Sequence, residues 1–305
     1  MSTHNYFLSK SLHSARNPAM RFCSIIFFSL SILSTDSLPA QKLAVMETAF
    51  GNRGVVESIA LTKKAGFEGV QIHTGKLDAN GVLTLSIQSL QEEFLVASKK
   101  HEVEIISLCA GSMNRINVWK DGPDRGKGLA IMKQSIEACD ALGCKLLLFP
   151  FFGPSNFQKG EEKIAGVAKF IKEILPIARK HGVTLGIESP ITYDRVLELF
   201  KRLENPPNLK MYYDTGNMMR GGEDIYTALQ KLGNDAICEI HLKPEGNIHF
   251  GKGKTDLPKL AGTLDQIGYD KWLVFEARGG ITNGDTKLSE ENLKGMKKLV
   301  ALRKE

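Results

Sequence analysis

The sequence predicts a single-domain α/β protein built as a closed (β/α)8 TIM barrel, and three observations carry that expectation. Apolar runs of strand length alternate with longer segments of helical period through eight repeats after residue 42. A glycine closes several helical segments just ahead of the next apolar run, as in Ala65-Gly66-Phe67, Leu142-Gly143-Cys144, His181-Gly182-Val183 and Ile267-Gly268-Tyr269. A glycine there takes the left-handed conformation that ends a helix. No stretch rich in Pro, Gly or Ser interrupts the alternation, so residues 42–305 are expected to form one domain.

The first apolar run, Leu43–Glu47, leads into Glu47-Thr48-Ala49-Phe50-Gly51-Asn52-Arg53-Gly54. That turn lacks the GxGxxG fingerprint that an open, doubly wound sheet usually carries after its first strand, which favours the closed barrel. The remaining strands are expected at Gly69–His73, Glu104–Cys109, Lys145–Phe151, Val183–Glu188, Lys210–Asp214, Ile237–His241 and Trp272–Glu276. Helices are expected between them at Val55–Lys64, Ile87–His101, Leu129–Leu142, Ile164–His181 and Tyr193–Leu203, with a Lys-rich helix, Leu288–Leu302, at the end. Eight such units in about 250 residues match a barrel whose chemistry sits at the C-terminal ends of its strands.

Four of those strand ends are polar: Glu188, Asp214, His241 and Glu276 close the runs VTLGIE, LKMYYD, AICEIH and WLVFE. Strands five to eight are consecutive neighbours, and each pair of these residues is separated by about one βα repeat, so the four side chains should share one level of one pocket. A lone glutamate at a strand end is ordinarily a rim residue, and a lone histidine in an apolar run is ordinarily a satisfied core residue. Together, three buried carboxylates are prohibitive unless a cation neutralises them. Oxygen-rich ligation with one imidazole suits Mn²⁺, Mg²⁺ or Co²⁺, with Zn²⁺ less favoured. One divalent ion is therefore the expected cofactor; ligand type does not choose among the first three, and Mn²⁺ is placed first.

The first 41 residues differ from the rest. From Met20 a basic residue, an apolar stretch from Phe22 to Leu33 and an exit of small residues ending at Ala40 describe a secretory signal too short to span a bilayer comfortably. Export to a periplasmic or extracellular space is expected, the alternative being a leader ahead of a cytoplasmic enzyme. The formal net charge is +6, part of it from Lys10, Arg16 and Arg21 in this leader. The remaining cations are dispersed along helices rather than gathered in a stripe, which argues against a nucleic-acid partner. Cys109, Cys139, Cys144 and Cys238 form no CxxC pair and read as small core residues.

The ordered set GVTLGIES, MYYDTGN, EIHLK and VFEARG, with GFEGVQIH at the second strand, resembles the xylose-isomerase-like TIM-barrel superfamily of sugar phosphate isomerases and epimerases. The resemblance covers essentially Leu43 to the C-terminus. It implies that Glu188, Asp214, His241 and Glu276 bind the metal and that Glu188 and Glu276 are the catalytic acid/base pair. Two carboxylates on opposite faces of an enediolate would epimerise a carbon, and one carboxylate serving two carbons would isomerise a ketose. The best-defined epimerase branch has a histidine and an arginine where this chain has Asn217 and Asn247. Those family residues grip substrate oxygens, a task for which Asn217, Lys243, His249 and Lys252 are the candidates here.

Other expected substrate contacts are His73 at the end of strand two, Trp119 and Phe152 as rings for a sugar face, and Arg278 for an anionic group. Phe151 is assigned to the core. Gly251-Lys252-Gly253-Lys254 is a second phosphate candidate. The expected partner is a small sugar or polyol, and a homo-oligomer is compatible with the sequence. A dehydratase of an inosose-like substrate, a phosphodiester-cleaving endonuclease and a non-catalytic sugar-binding barrel are the alternatives on the same scaffold.

Overall fold

The computed structural model describes residues 41–244, 249–276 and 286–303. Eight parallel strands close on themselves in sequence order: β1 (Leu43–Met46), β2 (Gly69–His73), β3 (Glu104–Cys109), β4 (Leu146–Pro150), β5 (Thr184–Glu188), β6 (Leu209–Asp214), β7 (Ile237–Leu242) and β8 (Leu273–Phe275). Closure is made by β1 on β8, with Leu43 opposite Leu273 and Val45 opposite Phe275. The helices are α1 (Glu57–Ala65), α2 (Gln88–His101), α3 (Pro123–Ala141), α4 (Glu161–Lys180), α5 (Tyr193–Arg202), α6 (Thr215–Arg220), α7 (Ile225–Ala236), α8 (Leu257–Gln266) and α9 (Lys287–Leu302).

A parallel strand covered on both faces should be apolar along its whole length, and β4, with the sequence LLLFP, is buried at every position. Outward residues such as Leu147, Phe149, Leu185 and Ile187 pack under the helices, while Ala44, Met46, Ile106, Leu148 and Val274 fill the barrel interior. The four punctuating glycines adopt φ values of 87° at Gly66, 75° at Gly143, 65° at Gly182 and 64° at Gly268. Each therefore lies in the left-handed region expected of it from sequence.

Several boundaries differ from the sequence expectation, and three of them are informative. β1 stops at Met46 because the next residue, Glu47, turns its carboxylate onto the loop that follows. It accepts from the backbone N–H groups of Gly54 (2.5 Å) and His73 (2.6 Å) and from Ser58 Oγ (2.8 Å). α3 begins at Pro123 rather than Leu129, with proline in the first turn, where its missing N–H costs nothing. β8 is three residues long and ends before Glu276.

Two strand pairs slip register. Val70 faces Ile105 but Gln71 faces Ser107, and Met211 faces Ile237 but Tyr212 faces Glu239. Ile106 in β3 and Cys238 in β7 are thus bulged, a device that re-aims side chains next to a site. The result is a polar layer inside an otherwise apolar barrel.

Candidate metal centre and active site

The C-terminal ends of β5, β6, β7 and the residue after β8 bring Glu188, Asp214, His241 and Glu276 together. One ligand atom from each lies within 4.8 Å of all the others. His241 Nδ1 is 3.0 Å from Glu276 Oε2, 3.7 Å from Glu188 Oε1 and 3.8 Å from Asp214 Oδ2. Glu188, Asp214 and His241 are buried, His241 with no exposed surface, and Glu276 is partly buried. His241 Nδ1 and Glu276 Oε2 are buried without a hydrogen-bond partner although they face each other. Buried polar atoms are rarely left in that condition, and a cation bound by both would satisfy them. Three carboxylates and an imidazole with these orphaned atoms fit a divalent metal.

Asn217 and Lys243 surround this cluster rather than standing clear of it. Asn217, fully buried in the first turn of α6, donates from Nδ2 to Glu188 Oε1 and to Asp214 Oδ2, both at 2.8 Å. Its backbone N–H caps Asp214 Oδ1 at 2.7 Å. Lys243 Nζ lies 2.5 Å from Glu276 Oε1 and 3.3 Å from Asp214 Oδ2. Both residues, expected at substrate oxygens, are placed on the carboxylates of this candidate metal cluster.

The electrostatics follow from that arrangement. Burial, reinforced by Glu276 and Glu188, raises the Asp214 carboxyl well above the usual range despite Lys243. Burial would raise Glu276 as well, but Lys243 and His241 hold it below the usual carboxylate range. Burial alone would lower His241, yet the Glu276 and Glu188 carboxylates bring it up to about 10.

Glu188 and Glu276 also line a cavity of about 320 Å³, together with His73, Arg53, Asn114 and Phe152. β5 and β8 stand three positions apart around the barrel, so the two glutamates reach this cavity from different sides. His73 Nε2 is 3.1 Å from Arg53 Nη1, and burial followed by the Arg53 charge lowers the imidazole to about 4. The ring is therefore neutral at pH 7. Gly111 makes room for it: a β-carbon there would lie 2.1 Å from His73 Cε1 and Nε2. Gly111→Ala should displace the ring, break the Arg53 contact and lower stability by about 1–3 kcal/mol, read by urea unfolding.

Other expected contacts fall elsewhere. Trp119 does not line the cavity; its indole donates to the Pro154 carbonyl at 3.0 Å and lies under Lys120 and Lys163. His249 packs towards α9, with Nδ1 3.5 Å from Asn292 Nδ2, and Lys252 is likewise outside the cavity lining. Phe151 is core, 4.2 Å from Phe149 between ring centres, as expected. Arg278 and Asn247 lie outside the described residues.

Beneath this cluster lies a polar layer that the sequence expectation does not include. His241 Nε2 is 3.0 Å from Gln71 Oε1, and Gln71 Nε2 donates to Ser107 Oγ and Tyr212 Oη, both at 3.0 Å. Those hydroxyls donate to Glu239 Oε2 at 2.9 and 2.7 Å. Burial pushes Glu239 up to about 7, against the opposing effect of the Tyr212 and Ser107 hydrogen bonds. A signal was present: Gln71, Ser107, Tyr212 and Glu239 each precede a strand-end residue by two positions, the period that keeps side chains on one face. Gly186 occupies the matching place in β5, and its missing side chain leaves room for Tyr212 and Cys238, the nearest neighbours of a β-carbon built there.

Comparison with known proteins agrees with this architecture. Over 227 residues the chain is 26% identical to the L-ribulose-5-phosphate 3-epimerase UlaE of Salmonella paratyphi A, covering 70% of this chain and 78% of that one. A D-psicose 3-epimerase structure superposes with a TM-score of 0.69 at 14% identity, covering 87% of this chain and 100% of the other. The E. coli 3-keto-D-glucoside 4-epimerase YcjR gives 0.67 at 16% identity, over 85% and 98% of the two chains. A zinc-bound IolI protein gives 0.65 at 18% identity, over 86% and 98%. The model of the xylose isomerase-like TIM barrel family matches residues 59–299, and the chain belongs to that family.

Proposed function

We propose that this protein is a divalent-metal-dependent epimerase or isomerase of a small sugar or keto-polyol, working through an enediolate. The observation that carries the reading is the Glu188–Glu276 pair. Both carboxylates belong to the four-residue cluster, and both line the cavity, from strands on different sides of the barrel. One would remove the proton from the carbon beside a carbonyl, and the other would return a proton to the opposite face. Lys243 keeps Glu276 ionised and able to accept a proton. Asn217 holds Glu188 in place, and Phe152 offers an apolar wall to the substrate.

Glu188, Asp214, His241 and Glu276 would hold the ion, Mn²⁺ first among the candidates. When bound, it supplies the positive charge that stabilises the enediolate oxygens. The relatives named as epimerases of L-ribulose 5-phosphate and D-psicose support the same reaction class.

The test is exchange. Protein loaded with Mn²⁺ and incubated with a panel of ketoses and keto-glycosides in D₂O should place deuterium on carbon in at least one of them. His241→Ala should lose both the metal and the exchange. Metal-loaded protein that exchanges no carbon-bound hydrogen across the panel would overturn the proposal.

A further inference from the structure

We propose that Glu239, acting through Ser107, Tyr212 and Gln71, is a positioning residue that selects which nitrogen of His241 faces the metal. This inference rests on the metal site proposed above and deepens it.

Proton counting sets the direction of each bond in this chain. Glu239 Oε2 receives both neighbouring hydroxyls, from Ser107 at 2.9 Å and Tyr212 at 2.7 Å. Each hydroxyl has one proton, and both protons are committed to that oxygen. The hydroxyl oxygens can then only accept, so the side of Gln71 that faces them must be its NH₂ group, 3.0 Å from each. The amide carbonyl is thereby turned to His241 Nε2, 3.0 Å away. A carbonyl has no proton to give, so Nε2 carries the hydrogen. In the neutral imidazole that a bound cation requires, Nδ1 then holds the lone pair, on the side that faces Glu188, Asp214 and Glu276.

The direction of every bond in this chain is thus set at its far end. Reversing the last acceptor would reverse the rest: hydroxyl protons released from Glu239 would turn to Gln71, its amide would flip, and its NH₂ would face Nε2. The proton would then belong on Nδ1, the atom the metal needs. An orienting partner behind a metal-binding imidazole is a common requirement of such sites. Here the partner is an amide, whose own orientation must be specified by something else.

The fold is built to make this possible. The bulges at Ile106 and Cys238 are what place Gln71 opposite Ser107 and Tyr212 opposite Glu239. All four residues are buried, Gln71, Ser107 and Tyr212 completely.

Three variants of the full chain test the assignment: Glu239→Met, which removes the acceptor at similar volume, Glu239→Gln, which keeps a carbonyl, and Gln71→Met. Mn²⁺ affinity is measured by calorimetry. The ligating nitrogen is read from long-range proton–nitrogen correlations of ¹⁵N-histidine-labelled, Zn²⁺-loaded protein. Glu239→Met and Gln71→Met should each weaken Mn²⁺ binding by about 10–100-fold, while Glu239→Gln stays within about threefold of the parent. The parent should ligate through Nδ1 of His241, and Glu239→Met should show loss of that single ligation mode.

Thermal unfolding without metal separates a packing role, which would lower the melting temperature and leave both the affinity and the ligating nitrogen unchanged. Folded Glu239→Met with parental affinity and Nδ1 ligation would overturn the inference. If Glu239→Met does not fold, Gln71→Met with parental affinity overturns it equally. A parent protein that takes up no metal would instead remove the metal reading itself, and this inference with it.

Discussion

Glu276→Gln and Glu188→Gln should each abolish net epimerisation, lowering it by about 10²–10⁴-fold, the range that a positioned acid or base contributes. Glutamine keeps a carbonyl oxygen for the metal but cannot take or return a proton. The two variants should not behave alike in exchange. A carbon whose hydrogen faces the surviving glutamate can still lose it to solvent deuterium, whereas its epimer cannot, so each variant should exchange one epimer and spare the other. The opposite preferences of the two variants would establish chemistry from two faces. If one carboxylate serves two adjacent carbons, one variant should be silent with every substrate and the other nearly normal. Retention of turnover within threefold by both would remove these glutamates from the chemistry.

Acid should destabilise the protein through His73. Its imidazole is lowered to about 4 in the folded chain, by burial and then by Arg53, against an ordinary value of 6.5. Between those values the unfolded chain binds a proton that the folded chain refuses. The stabilisation is fully present above pH 6.5 and is lost as pH falls towards 4, amounting to about 3 kcal/mol. The groups facing His73 are the Arg53 guanidinium, in contact with Nε2, and the Glu47 carboxylate, which accepts from its backbone N–H. Glu47 is itself raised by burial and works in the opposite sense. Urea unfolding of the parent and of His73→Gln at pH 7 and pH 4.5 isolates the histidine. The parent should lose about 2–3 kcal/mol more than the variant, and equal losses would refute the assignment.

Much of this molecule is legible along the chain because a parallel barrel writes its layers in regular spacing. Apolar runs ending in Glu188, Asp214, His241 and Glu276 locate strands and a convergent polar cluster at once, since side chains at equivalent strand ends must converge when the sheet closes. Helix-ending glycines such as Gly66 and Gly182 mark the repeats because few other residues tolerate their backbone conformation. By contrast, Asn217 and Lys243 were read as substrate contacts. Their spacing places them beside the pocket, but only the packed structure shows their nitrogen atoms turned to Glu188, Asp214 and Glu276. Trp119 and His249 lie outside that cavity for a related reason, because loop residues follow the neighbours they pack against rather than a period.

By itself, then, the order of residues determined the barrel, its eight units and the four convergent polar side chains, all consequences of local periodicity and chain closure. The tertiary structure decided the polar layer beneath them. Gln71, Ser107, Tyr212 and Glu239 come from four strands, and two bulges bring them into hydrogen-bonding register. A register shift is a property of paired backbones, settled by packing across the sheet, and no single strand's sequence specifies it.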